Sequence, residues 1–160
     1  MRHAKSNWTD TQLTDFERPL SGRGRTDAPF MGAMIQQEGI KPDFIFSSPA
    51  NRSITTARLV SEQINFPLKN IIIREEIYDA TLPELFGFIE EMSPDLDNFI
   101  IFGHNPALTQ LINKLTDLEI ENFPTCAICG ITIPIEDWKN IQYTKGESIF
   151  YAFPKKYRKF

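Results

Sequence analysis

Short apolar runs alternate with helix-like segments along this chain, and that rhythm constrains the fold more than any other feature. Asp43-Phe44-Ile45-Phe46-Ser47, Ile71-Ile72-Ile73 and Phe99-Ile100-Ile101-Phe102 are too short for helices and rich in aromatic and β-branched residues, so each reads as a buried strand. The intervening segments read as helices. Ser21 is placed to cap a stretch carrying Phe30, Met31, Met34 and Ile35, and Gly39 is placed to stop it. Pro29 cannot donate a backbone hydrogen bond, so this helix is expected to start near Thr26 or to bend at Pro29. Ser48-Pro49 precedes a helix over about 50–64, Thr81 caps one running to Met92, and His104-Asn105-Pro106 turns into one over 107–116. Two more strands, near 126–133 and 148–153, follow. The alternation predicts an α/β fold, a three-layer α-β-α sandwich with a mostly parallel central sheet covered on both faces.

No repeat, low-complexity tract or Gly/Ser linker interrupts the 160 residues, which implies a single domain over 1–160. With 41% apolar and 24% charged residues the composition is that of a soluble globular protein. The apolar runs are too short to cross a bilayer and the N-terminus lacks the apolar stretch of a signal peptide, so no membrane association is expected and the expected compartment is the cytoplasm. A net charge of -4 excludes general affinity for nucleic acid, and any anion site must be locally positive. The basic run Lys155-Lys156-Tyr157-Arg158-Lys159 reads as a solvated terminus. Cys126 and Cys129 lie in a strand pattern that points them to opposite faces, without a helix start or further ligands, and read as packing residues.

The chain has two histidines, His3 in Met1-Arg2-His3 and His104 in Gly103-His104-Asn105, the second directly after an apolar run. Arg52 follows another such run. In a parallel sheet these positions open onto one edge, where helix N-termini favour an anion and a guanidinium offers a planar fork for two phosphate oxygens. A lone histidine or arginine would read as structural. Three such elements at equivalent places point instead to a phosphate-handling site.

The motifs resemble the histidine phosphatase superfamily, and within it the small SixA-type phosphohistidine phosphatases. Six pieces carry the resemblance in order. Arg2-His3-Ala4-Lys5-Ser6 is followed by Trp8, and Glu17-Arg18-Pro19-Leu20-Ser21 by Gly24 and Asp27-Ala28-Pro29-Phe30-Met31. Then come Ser47-Ser48-Pro49-Ala50 with Arg52 and Thr56-Ala57, Ile77-Tyr78-Asp79-Ala80, Gly103-His104-Asn105-Pro106, and Asn122-Phe123-Pro124-Thr125. The resemblance implies a phosphoglycerate mutase-like fold. It makes His3 the nucleophile and Arg2, Arg52 and His104 its catalytic partners, with Arg18, Ser6 and Asn105 binding substrate. It implies no metal and no cofactor. For Arg18, a structural ion pair with Asp15 or Glu17 is the alternative.

Larger members of that family carry a proton donor near the region of Glu75, Glu76 and Asp79, but none of these matches its motif, and all three read as surface charge. A phosphohistidine substrate needs no such acid, because imidazole leaves phosphorus readily. Only 51 residues separate Arg52 from His104, which leaves little room for a lid and implies a shallow, open pocket. The expected activity is hydrolysis of phosphohistidine on a partner protein, such as a phosphotransfer domain or phosphocarrier in signal transduction. Two alternatives are a phosphatase of small phosphomonoesters and a phosphate-binding module without turnover. The second arises because family members place an apolar strand before the Arg-His pair, so the first central strand is expected to be truncated and the Arg2-His3 backbone loosened.

Overall fold

The computed structural model describes residues 1–158. The first three apolar runs form strands β1 (Phe44–Ser47), β2 (Ile71–Ile73) and β3 (Phe99–Phe102), paired in parallel in the order β2-β1-β3. Ile45 lies opposite Ile71 on one side and Ile100 on the other. Helices α1 (Gly22–Gln37), α2 (Asn51–Gln63), α3 (Leu82–Glu90) and α4 (Ala107–Leu115) connect or flank them.

Strand alternation distributes the core between two layers. Ile45, Ile100 and Phe102 pack with Ala28, Met31 and Ile35 of α1 and Val60 of α2. Phe46 and Ile101 pack the other way, with Leu85 and Phe88 of α3 and Leu108 and Leu111 of α4. The sheet is therefore covered on both faces, as the alternating pattern requires. Strands β4 (Ile128–Thr132) and β5 (Glu147–Ala152) form a separate antiparallel pair, with an irregularity between Gly130 and Ile131. No helix among the described residues is long and apolar enough to cross a membrane.

Several local expectations change. Helix α1 begins at Gly22, and Pro29 lies inside it. The Ser21 hydroxyl accepts from Gly24 N–H at 3.1 Å, and complete burial of Ala28, Met31 and Ile35 outweighs the hydrogen bond that Pro29 removes. Strand β4 starts at Ile128, because Cys126 has φ +62° and sits in the preceding turn. Both cysteines are free, and burial pushes the Cys126 thiol pKa up. The expected solvated terminus is corrected at Arg158. A short helix, α5 (Pro154–Tyr157), leaves Lys155 and Lys156 exposed, but Arg158 reaches back to the fully buried Asp27 at 2.8 Å, since a buried carboxylate requires a cation. Lys159 of that basic run lies outside the described residues.

The Arg-His pair is firmly held, contrary to the expected loosening. Arg2 bridges Gly103 in parallel, and His3 N–H donates to the Gly103 carbonyl at 3.1 Å. On the other side Arg2 N–H donates to Ala127 and Cys126 N–H to the His3 carbonyl, both at 3.0 Å. Met1-Arg2-His3 is thus tied between the end of β3 and the turn before β4.

Candidate phosphate-handling site

The same edge of the sheet gathers the ends of several elements. His3 comes from the segment beside β3, Arg52 from the first turn of α2, and His104 from the turn between β3 and α4. Ala4 N–H donates to the Thr56 hydroxyl at 2.9 Å, and that hydroxyl donates to the Arg52 carbonyl at 2.7 Å, which ties the His3 loop to α2. A cavity of about 300 Å³ opens there, lined among others by Arg2, His3, Ser6, Arg18, Arg52 and His104.

His3 Nδ1 lies 2.8 Å from the Ala4 carbonyl oxygen. A carbonyl only accepts, so Nδ1 carries the proton and Nε2 keeps its lone pair. Burial, aided by His104, Arg52 and Arg2, lowers the His3 pKa to about 3, outweighing the Ala4 bond, so the ring is neutral at pH 7. The two histidine rings stand 5.2 Å apart between centroids. His104 Nε2 is 2.7 Å from the Ser48 hydroxyl, and its Nδ1 faces an Arg52 N–H at 3.5 Å. Burial and then Arg52 lower its pKa to about 4.

The guanidinium groups are anchored from behind. Arg2 donates to the Phe123 carbonyl at 2.9 Å, and Arg18 donates to the Ser6 hydroxyl and stacks over Trp8, 3.3 Å from the ring centroid. Asp15 joins two of the cations: it accepts from Arg18 at 2.7 Å and from Arg52 at 3.0 Å, and its backbone carbonyl accepts from Arg52 at 2.7 Å. The Tyr78 hydroxyl also donates to Asp15, at 2.8 Å. Desolvation opposes ionisation of Asp15, but the bonds from Arg18, Tyr78 and Arg52 hold its carboxyl well below the usual range.

All seven residues singled out from sequence, Arg2, His3, Ser6, Arg18, Arg52, His104 and Asn105, line this cavity. Asn105 stands there with its side chain engaged, its amide donating to Phe123 and Asn122 and its oxygen accepting from Thr109. Arg18 makes the ion pair with Asp15 and lines the cavity as well, so its two readings coexist. Glu75, Glu76 and Asp79 are absent from the lining, and Glu76 pairs with Arg74 at 2.7 Å. Lys5, Trp8 and Thr125 complete the lining, and Ser48 and Tyr78 support it from behind. All five stand inside the motif pieces quoted from the sequence, where none was given a site role of its own. Among the described residues, no group of three or more His, Cys, Asp or Glu side chains could hold a metal ion.

The chain resembles several known proteins in sequence and in fold. A chloroplastic protein of Arabidopsis thaliana without a characterised function is 30% identical over 134 residues, covering 79% of this chain, and the match spans 61% of that protein's length. The fold is that of the protein histidine phosphatase SixA, solved with tungstate, at a TM-score of 0.82 and 18% identity over 99% of this chain and 97% of that one. A SixA-type protein from Agrobacterium tumefaciens superposes at a TM-score of 0.77 and 25% identity, covering 96% and 95% of the two chains. The family description "histidine phosphatase superfamily (branch 1)" matches residues 1–82, the stretch that carries Arg2, His3, Arg18 and Arg52. With that match over half its length, the chain belongs to the histidine phosphatase superfamily.

Proposed function

We propose that this chain is a metal-independent phosphohydrolase acting through a phosphohistidine intermediate on His3, and that its substrate is phosphohistidine on a partner protein. One observation carries the reading: the Ala4 carbonyl fixes the His3 tautomer, so a neutral Nε2 faces a cavity lined by Arg2, Arg18, Arg52 and His104. Nε2 attacks phosphorus as the bond to the substrate imidazole breaks, and that ring, protonated by solvent on its other nitrogen, leaves as neutral imidazole. Water then attacks phospho-His3, releasing inorganic phosphate and restoring the ring. The guanidinium groups stabilise the charge on the equatorial oxygens, most strongly where water is excluded. A bound phosphate dianion favours the protonated form of His104, which then donates to a phosphoryl oxygen. Arg18 and Ser6 position the phosphoryl group, and Asn105 shapes the rim.

The SixA-type likeness supports the phosphohistidine assignment, as does the absence of a carboxylic acid from the lining among the described residues, since an alkoxide leaving group would need one. The open rim suits a side chain presented by a protein.

A phosphorylated phosphocarrier protein serves as the test substrate. Wild type is expected to release phosphate and to carry a transient acid-labile label, while His3→Ala does neither. Equal release by both proteins would refute the mechanism. Faster turnover of an alkyl phosphate than of the phosphohistidine protein would transfer the site to small phosphomonoesters.

A further inference from the structure

Trp8 is the tryptophan that folding leaves outside. It is 66% exposed, whereas Trp138, the other tryptophan of the chain, is half-buried and donates its indole N–H to the Leu96 carbonyl at 2.8 Å. Despite its exposure the Trp8 ring is pinned. The Arg18 guanidinium lies 3.3 Å from its centroid, and Arg18 is itself buried and held by Ser6 and Asp15. Among the described residues no other ring and no second cation is stacked on Trp8, so the second face of the indole is open to solvent.

The position of that face gives it a use. His3 is buried at the floor of the cavity, and the exposed Trp8 stands at its rim. In-line displacement puts the leaving group on the side of phosphorus opposite the nucleophile, and hence toward the rim. Phosphoryl oxygens bound in the cavity meet Arg18, and the indole is the layer stacked on that guanidinium. A ring bonded directly to phosphorus therefore comes within contact distance of Trp8. Apart from the two histidines, Trp8 is the only aromatic side chain in the lining among the described residues. The neighbouring aromatics are already engaged: Tyr78 packs edge-on against Phe16 and His104 and donates its hydroxyl to Asp15.

The cations of the cavity read phosphoryl oxygens, which every phosphorylated ligand carries, so they do not distinguish one leaving group from another. An aromatic face does. It gains offset-stacked or edge contact with a planar ring and little with a slender alkyl group. We propose that Trp8 is a specificity residue, whose open face packs against a planar ring bonded directly to phosphorus and selects such leaving groups over alkyl ones. Under the phosphohistidine reading, on which the identity of that ring rests, it is the imidazole of the substrate side chain. Trp8 makes and breaks no bond, and acts by holding the ring in line with His3 Nε2.

Non-hydrolysable phosphonates test the contact apart from turnover. Phenylphosphonate joins a flat ring directly to phosphorus, cyclohexylphosphonate a puckered ring of similar size, and methylphosphonate no ring. Calorimetric titration of the full chain, at a pH where all three are dianions, is expected to show phenylphosphonate binding about fivefold tighter than either of the others, the scale of one aromatic pair. Trp8→Ala is expected to abolish that preference and Trp8→Phe to keep most of it; both alter an exposed side chain and leave the core intact. If Trp8 served only to hold Arg18, Trp8→Ala would weaken all three ligands by the same factor and leave the preference standing, which would overturn the proposal. Equal binding of the phenyl and cyclohexyl ligands by wild type would overturn it as well, since it would show apolar contact without regard to flatness. Failure of all three to bind wild type would remove the anion site and the proposal together. The phosphohistidine reading is tested by phosphate release from a phosphorylated protein, so a Trp8-dependent phenyl preference without that release would support the contact and refute only the reading.

Discussion

Among the described residues, Asp15 is the one carboxylate set among the cations of the site. Its oxygens occupy N–H groups of Arg18 and Arg52 that also border the cavity, and half of its side chain is exposed. An anion entering the pocket competes with it for the same donors. Asp15→Asn is expected to bind inorganic phosphate more tightly, by up to about fivefold in a calorimetric titration, the scale of a part-exposed ion pair. Weaker binding would mean that Asp15 chiefly aims the two guanidinium groups. The sequence exposed only part of this arrangement. Arg18 and Asp15 are three residues apart and could be paired on spacing, whereas Arg52 and Tyr78 lie 37 and 63 residues from Asp15 and reach it only through the fold.

Among the elements, α1 does more than cover the sheet. At its start Ser21 N–H and the Ser21 hydroxyl donate to the Lys5 carbonyl, at 2.8 and 3.0 Å, bracing the loop that follows His3. Gly24 presses on the same carbonyl, and a Cβ there would stand 2.2 Å from its oxygen. Backbone cannot yield as a flexible side chain can, so Gly24→Ala is expected to destabilise the fold by about 1–3 kcal/mol in chemical denaturation and to lower turnover by shifting the His3 loop. Wild-type stability in that variant would show that the loop moves freely. The Ser21 cap was legible because capping is local chemistry. The tolerance of α1 for Pro29 was not, because it depends on burial against α2 and β1, which no local pattern encodes.

Across the whole molecule, three basic groups whose pKa values are lowered by desolvation share one pH dependence. The folded pKa is about 5 for the Met1 amino group against 8.0 for the free group, about 3 for His3 and about 4 for His104 against 6.5. Each binds its proton more readily in the unfolded chain, so acid favours unfolding. Their contribution is fully present above pH 8, declines as pH falls past 8 for the amine and past 6.5 for the histidines, and is lost below the folded values. Tm is therefore expected to drop between pH 8 and pH 5. A flat profile would show that these groups are hydrated in solution. Capping Met1 with an acetyl group should remove the portion of the drop that begins at pH 8.

The amino-acid sequence by itself determined the layered α/β plan, since short apolar runs and capped amphipathic segments leave few other ways to bury these side chains. It also placed Arg2-His3, Arg52 and His104 together, because a parallel sheet delivers those positions to one edge. Tertiary structure alone decided the state of those groups. The position of Asp15 between two guanidinium groups and the depth at which His3 and His104 sit depend on contacts between segments distant in the chain, and their energies come from burial and pairing that no local pattern records.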